Sequence, residues 1–426
     1  MKNIMNIKNR LILMNFFQFF IWGSWLLTIG AYWFQTKQWS GTEFGAIFST
    51  MGIASLFMPA IAGIIADRWI NAEKLYGSFH IIAAVILFLV PLVNDPSTMF
   101  WIMLVNMMFY MPTISLSITV AYSSLNKSNL DIVKEYPPIR VWGTIGFIAA
   151  LWIVSLANFE TSAMQFYVAS AASLFLGIYA FTLPKCEPLG GTTKKSFVNA
   201  LGLNAFKLFK NARMAVFFIF AMLLGASLQL TNAYGDTFLH DFAKLDIFKD
   251  LLAVKFPAII MSISQISETL FILTIPFFLR KFGIKKVMLM SMFAWVLRFA
   301  LFAYGDPAGG LWMIILSCII YGMAFDFFNI SGSLYVESQS ERGIRASAQG
   351  LFMMMTNGFG AFLGSRVSGY VIDKYYKYPN VAQDAIQYDW KGIWLAFAGY
   401  SLIVAVIFAI VFKYKHDPKV VENFQH

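Results

Sequence analysis

The sequence predicts an all-α integral membrane protein with twelve transmembrane helices. Its 426 residues are 59% hydrophobic and only 13% charged, with a mean hydropathy of +0.66. Soluble domains carry about 25% charged residues, so this chain has too few charges to cover a water-facing surface. Apolar stretches long enough to cross a hydrocarbon core of about 30 Å recur along nearly the whole chain. The chain is therefore predicted to consist of membrane helices and not of soluble domains.

The predicted spans fall into two groups of six. The first group comprises residues 11–34, 44–66, 76–93, 99–122, 139–157 and 164–183, and the second comprises 214–238, 257–279, 287–304, 311–336, 346–372 and 392–412. Between them lies the longest polar connection, which contains six basic residues and a single acid, Glu187. We expect a six-helix bundle at residues 1–183, a central loop at 184–213, and a second six-helix bundle with a short tail at 214–426.

Basic residues gather in every second connection. They occur at 68–74, at 127–134, in the central loop, at 280–286 and after 412, whereas the opposite side is poor in Lys and Arg. By the positive-inside rule these connections and both termini are cytoplasmic. The net charge of +10 therefore reflects topology and not nucleic-acid binding, which needs a basic face or a recognisable motif. We expect a monomer in contact with lipid, spanning a bacterial cytoplasmic membrane many times.

The amino-terminal segment superficially resembles a secretory signal, because Lys2, Lys8 and Arg10 precede an apolar run. That run is too long for a signal peptide and has no small-residue cleavage site after it. It is predicted to be the first permanent helix.

The chain lacks the residue patterns of an enzyme. Cys186 and Cys318 have no disulfide or metal-ligand spacing. The four histidines are scattered near loops or the tail, with no metal pair and no nucleophile elbow; they are His80, His240, His416 and His426. We expect no catalytic residue, no metal and no cofactor. A sensor is disfavoured because the chain has no soluble output domain.

Four predicted helices each carry a short polar or aromatic stripe. Ionisable and amide side chains are costly in a membrane, so they face the bundle interior or a water-filled path. At helical spacing the stripes are Arg140, Thr144 and Phe147 in the fifth helix, Gln229 and Asn232 in the seventh, Gln265 and Glu268 in the eighth, and Tyr321 and Phe325 in the tenth. Hydrogen bonding between helices is the alternative role for single amides. Together the stripes suit a small, polar, uncharged molecule with a flat ring, such as a nucleoside or, less well, an oligosaccharide.

Two acids in these helices are candidates for coupling transport to protons. Glu268 shares its helix face with Gln265 and is expected chiefly to hold the substrate. Asp326 is turned about 100° from Phe325 on an ideal helix, so it is the better proton carrier, with Glu268 as the second candidate. The alternative for either acid is a structural ion pair with Arg298 or Arg366; Arg298 is one possible partner of Asp326, and the sequence does not decide between the two arginines.

Several segments resemble a known transporter family. Two six-helix halves, a basic central loop and the sequence GIIADR at 63–68 resemble the major facilitator superfamily. Longer segments resemble the bacterial nucleoside:proton symporters of that superfamily: FIWGSWL at 20–26, PPIRVWGTIGF at 137–147, MSISQISETLF at 261–271, FDFFNISG at 325–332 and IRASAQG at 344–350. The resemblance implies proton-coupled nucleoside import by alternating access.

The resemblance also implies a role for each residue of the four stripes. Arg140, Thr144, Gln229, Asn232, Gln265 and Glu268 hydrogen-bond the nucleoside, and Phe147, Tyr321 and Phe325 pack against it. A proton-coupled sugar or oligosaccharide symporter remains the alternative.

Overall fold

The computed structural model describes residues 2–188, 203–341, 344–379, 381 and 385–414. These residues are almost entirely helical or in turns, and their one extended pairing is a bridge between Lys377 and Tyr388. The chain forms two compact units, one of Met1–Trp39 with Ala46–Leu201 and one of Ser40–Gly45 with Gly202–His426. Residues 189–202 of the predicted central loop and 415–426 of the tail lie outside the described residues.

The first unit is built by six membrane helices. They are α1 (Lys2–Gly23), α2 (Gly41–Arg68), α3 (Ala72–Leu89), α4 (Pro96–Lys127), α5 (Ile132–Leu156) and α6 (Met164–Ala180). Helix α1 packs against α5, α3 against α4 and α6, and α2 against α4. The start of α4 is fixed by Pro96 and by Asp95, whose carboxylate accepts the Thr98 N–H at 2.7 Å, as expected of an N-cap.

The first span is not the single helix that hydropathy predicts. Helix α1 ends at Gly23, and a turn leads to Ile29–Ala31 and to the π-helical stretch Tyr32–Thr36. The Ser24 hydroxyl donates to the Phe20 carbonyl at 2.8 Å, a local bond that bends helices. Gly23 also lies against α5, where an added Cβ would come within 2.5 Å of the Phe147 carbonyl oxygen. Hydropathy depends only on the apolar character of the residues, so it cannot predict a break that arises from these contacts.

The second unit contains the other six membrane helices. They are α7 (Ala212–Asp241), α8 (Pro257–Ile272, continued by 275–282), α9 (284–304), α10 (Leu311–Gln339), α11 (Arg345–Met353, Met354–Gly360 and Ala361–Val371) and α12 (Trp390–Val411). Asn211 caps α7 by accepting the Arg213 N–H at 2.9 Å. Helix α10 packs against α8 and α9, α7 against α11, and α9 against α12.

The turn between α8 and α9 depends on Gly283. Its φ of 77° and ψ of 166° interrupt the helical stretch Ile275–Tyr304, and glycine adopts positive φ without a Cβ penalty. The turn lies in the basic connection predicted at 280–286. Gly283 therefore separates the end of α8 from the start of α9.

The described helices confirm the predicted all-α, twelve-helix architecture. Eight are long and apolar enough to cross a membrane, and Met164–Ala180 and Pro257–Ile272 are shorter apolar helices. Of the remaining two, α1 is broken after Gly23 and α11 contains the π-helical segment Met354–Gly360. Such π-helical turns are uncommon and occur often at functional sites.

The first turn of α2 belongs to the second unit because it packs on the end of α11. The Gly41 N–H donates to Asp373 Oδ1 at 2.8 Å. At Gly45 an added Cβ would lie 2.2 Å from the Ser365 carbonyl oxygen. Small residues thus allow close helix contact here, as is common in membrane proteins.

Glycines also bring α7 and α11 together. A Cβ on Gly225 would lie 2.2 Å from the Thr356 carbonyl oxygen, and one on Gly360 would lie 2.5 Å from the Met222 carbonyl oxygen. The obstructing atoms are backbone, so the helices themselves would have to separate. Helix α7, which carries one of the polar stripes, therefore has a sterically fixed distance to α11.

We predict that Gly225→Ala destabilises the protein and that Gly399→Ala does not. Overpacking costs about 1–3 kcal/mol, whereas Gly399 in α12 has no atom within 4 Å of an added Cβ. Thermal unfolding in detergent should show a lower midpoint for Gly225→Ala alone. Equal midpoints for the two variants would contradict this packing.

Candidate functional site

The first unit contributes the predicted stripe of α5. Arg140 and Thr144 are half-buried, and Phe147 is buried. The Arg140 guanidinium lies over the Phe19 ring at 4.0 Å from its centroid, a favourable cation–π distance. Gly143 permits this arrangement, because an added Cβ would lie 2.8 Å from Arg140 Nη1. Close packing of α1 on α5 thus positions the arginine.

The second unit contributes two amides with unsatisfied oxygens. Gln229 on α7 is only 4% exposed, and Gln265 on α8 and Asn232 on α7 are half-buried. The Oε1 atoms of Gln229 and Gln265 are buried and accept no hydrogen bond from the described residues. An unsatisfied buried polar atom costs about 1–3 kcal/mol. A bound molecule that donates to these oxygens would remove that cost.

A flat aromatic surface lies on α10. The rings of Tyr321 and Phe325 are 5.7 Å apart and parallel within 4°, and Phe325 is half-buried whereas Tyr321 is 5% exposed. Phe328 has a different role, because it is buried and stacks on Phe217 with centroids 6.0 Å apart. The first pair can therefore receive a flat ring, whereas Phe328 belongs to the packed interior.

The two candidate coupling acids, Glu268 and Asp326, influence one another. Asp326 on α10 is 4% exposed, and its Oδ2 accepts no hydrogen bond from the described residues. Glu268 on α8 is half-buried, and its charge acts on both Asp326 and Tyr321. Helix α8 packs against both α7 and α10. The stripes on these three helices are therefore neighbours within one unit.

Of the two arginines that the sequence offers to Asp326, Arg298 does not form an ion pair with it. No ion pair between described residues involves Arg298; its Nη1 instead donates to the Ser317 carbonyl at 2.6 Å. The guanidinium also lies over the Tyr321 ring, 4.7 Å from the centroid. A backbone carbonyl and an aromatic ring face, and not a carboxylate, are thus the partners of this guanidinium.

The expectation that all histidines lie near loops or the tail is wrong for His80. This residue is 0% exposed within α3, with Nε2 3.0 Å from Gln18 Oε1 and Nδ1 3.2 Å from Ser173 Oγ. Gln18 also accepts the Tyr76 hydroxyl at 2.8 Å and donates to Thr113 at 2.9 Å. The spacing of Tyr76 and His80, one turn apart inside a predicted span, was the available signal.

The chain matches one known family of transporters along nearly its whole length. A family model for nucleoside H⁺ symporters matches residues 5–417. The chain belongs to the nucleoside H⁺ symporter family. The predicted family is thereby confirmed, and the matched range includes every residue of the four stripes.

Members of this family with similar sequences are permeases. The chain is 54% identical to a xanthosine permease of Escherichia coli K12 over 98% of this chain and 99% of the relative. It is 53% identical to the nucleoside permease NupG of the same strain over 97% of both chains. A crystal structure of nucleoside transporter NupG has a TM-score of 0.89 at 52% identity, covering 96% of this chain and 100% of that one. This nucleoside H⁺ symporter is therefore a multi-pass transporter of a bacterial inner membrane and not an enzyme.

We predict that Phe325→Ala weakens nucleoside binding much more than Phe328→Ala. Base stacking on an aromatic ring contributes about 1–3 kcal/mol, so loss of Phe325 should raise the Kd about fivefold to 150-fold. Phe328→Ala removes a packed ring, so it should lower the thermal unfolding midpoint instead. Calorimetric titration and thermal unfolding of each purified variant measure both quantities. Equal losses of affinity would count against the stacking surface.

Proposed function

We propose that this protein imports nucleosides together with protons by alternating access. The observation that carries the proposal is the family match over residues 5–417. Unsatisfied oxygens and a parallel ring pair on neighbouring helices of the second unit support it. Family membership does not favour the sugar or oligosaccharide symporter that the sequence left open.

The nucleoside is bound by hydrogen bonds and ring contacts. Each amide and acid offers an acceptor to hydroxyls or base edges, and the aromatic surface stacks on the base. The proposed hydrogen-bonding residues are Arg140, Thr144, Gln229, Asn232, Gln265 and Glu268, and the proposed packing residues are Phe147, Tyr321 and Phe325. The xanthosine permease and NupG are almost equally similar to this chain, so the proposed substrate is the nucleoside class and not one base.

Asp326 is the proposed proton carrier and Glu268 chiefly a substrate ligand. Asp326 Oδ2 is buried and receives no hydrogen bond from the described part of the chain, and the charge of Glu268 acts on the Asp326 carboxylate. Like charges repel, so uptake of a proton by Asp326 removes the repulsion. Glu268, half-buried beside Gln265, then remains available to the nucleoside. Glu268 is the second candidate for proton coupling, and substitution of each acid in turn distinguishes the two roles.

The proposed organisation follows the charge pattern. Residues 1–183 and 214–426 form the two bundles of an alternating-access transporter, and 184–213 connects them. The basic connections place both termini in the cytoplasm. We propose a lipid-embedded monomer that does not bind nucleic acid.

One proton can drive substantial accumulation. A membrane potential of 100 mV contributes about 2.3 kcal/mol, and one pH unit contributes about 1.36 kcal/mol. The sum of about 3.7 kcal/mol supports a gradient of a few hundred-fold at one proton per nucleoside.

We predict that the purified protein, reconstituted alone into proteoliposomes, accumulates radiolabelled nucleosides when an inward proton gradient is imposed. A protonophore should abolish accumulation and leave exchange of internal for external nucleoside intact, because exchange needs no net proton movement. Protein-free liposomes provide the control. Sodium-dependent accumulation that resists the protonophore would contradict proton coupling, and uptake competed by sugars but not by nucleosides would contradict the substrate.

A further inference from the structure

Arg298 on α9 connects three other helices of the second unit. The residue is 1% exposed. Its Nη1 donates to the Ser317 carbonyl of α10 at 2.6 Å, and both Nη atoms lie 3.4 Å from Ser264 Oγ of α8. Its Nε lies 3.4 Å from Thr231 Oγ1 of α7. One planar guanidinium therefore donates toward α7, α8 and α10 at once, which its forked geometry permits.

These three helices are the ones that carry the proposed ligands of the second unit. Each contact residue of Arg298 is adjacent to a ligand or one helical turn before one. Thr231 precedes Asn232, Ser264 precedes Gln265 and lies one turn before Glu268, and Ser317 lies one turn before Tyr321. Helix α9 itself carries no proposed ligand. Arg298 thus contacts the backbone or side chain beside every polar stripe of this unit.

Arg298 also contacts the aromatic surface. Its guanidinium lies 4.7 Å from the centroid of Tyr321, which stacks in parallel on Phe325. The Ser317 hydroxyl donates to the Arg298 carbonyl at 3.0 Å, so α9 and α10 are joined in both directions. The arginine therefore packs against the ring pair that is proposed to receive the base.

Packing alone does not account for a guanidinium at this position. Burial of a charge is costly, and apolar residues of similar volume often replace buried ion groups without loss of stability. No ion pair between described residues offsets the charge of Arg298. The hydrogen bonds that stabilise it come from α7, α8 and α10, and the rings over which it lies are Tyr321 of α10 and Phe302 of its own helix.

We propose that Arg298 is a positioning residue that holds α7, α8 and α10 at the spacing nucleoside binding requires. It acts through these helices and does not touch the substrate. This inference rests on the proposed function, because it assumes that the stripes on those helices bind the nucleoside.

Equilibrium binding of radiolabelled uridine and adenosine to purified, monodisperse variants tests the proposal, with Kd and the number of sites per folded molecule measured separately. Arg298→Lys keeps the charge, but its three N–H donors share a single nitrogen and cannot span the separated acceptors that the planar guanidinium reaches, so its Kd should rise about tenfold. Arg298→Met should raise Kd further, by about a hundredfold, because it removes the charged group and leaves buried partners such as the Ser317 carbonyl without a hydrogen-bond donor. The number of sites should stay near one in both variants.

A second set of variants keeps the arginine and removes its hydroxyl acceptors. Thr231→Val combined with Ser264→Ala should raise Kd about fivefold, since each hydrogen bond to a charged group contributes about 1.5–3 kcal/mol at most and these are long. This double variant tests the proposal if either Arg298 substitution fails to fold. Gly399→Ala is the matched control in an unobstructed position and should bind as the unsubstituted protein does.

Separate outcomes identify which idea fails. If Gln265→Ala and Phe325→Ala weaken binding but both Arg298→Met and the double variant leave Kd unchanged, the positioning role is overturned and the proposed site stands. A fall in site number at unchanged Kd would show a purely structural role and would also overturn it. If Gln265→Ala and Phe325→Ala bind normally, the proposed site is wrong and the positioning role falls with it.

Discussion

The hydrocarbon around these helices offers no hydrogen-bond partner, and this constraint shapes the rest of the structure. Backbone groups are satisfied within helices, so polar side chains in the spans need partners from the bundle or from a ligand. Most find them inside the protein: His80 pairs with Gln18 and Ser173. Several buried polar atoms find none among the described residues, and the oxygens of Gln229 and Gln265 are two of them. A polar substrate that donates hydrogen bonds to these two oxygens would satisfy them.

The same constraint explains how charge is distributed in the second unit. Arg298 and Asp326 do not pair, although both are buried. The arginine is stabilised by the Ser317 carbonyl and the Tyr321 ring. The acid has one oxygen to which no residue in the described ranges donates a hydrogen bond. A carboxylate held in an ion pair would have to lose that partner before it took up a proton. Separation of the two charges therefore leaves Asp326 free of that barrier.

The sequence predicts the twelve helices and their stripes because hydropathy and helical spacing are local properties. It does not predict the turn after Gly23 or the π-helical segment Met354–Gly360, because both depend on packing between helices. The sequence could not decide whether Arg298 pairs with Asp326 for the same reason: packing directs the guanidinium toward carbonyl, hydroxyl and ring partners. The predicted ligands remain predictions in both units, since the family match supports their roles and binding measurements decide them.

Nucleoside-driven proton movement tests the central claim most directly. Proteoliposomes containing a trapped pH-sensitive dye are given external nucleoside without an imposed gradient, and internal acidification is compared for the unsubstituted protein, Asp326→Asn and Glu268→Gln. We expect acidification with the unsubstituted protein and none with Asp326→Asn, which should still exchange nucleoside. Glu268→Gln should fail to acidify because it loses binding first. Acidification by Asp326→Asn at the unsubstituted ratio of protons to nucleoside would contradict the account.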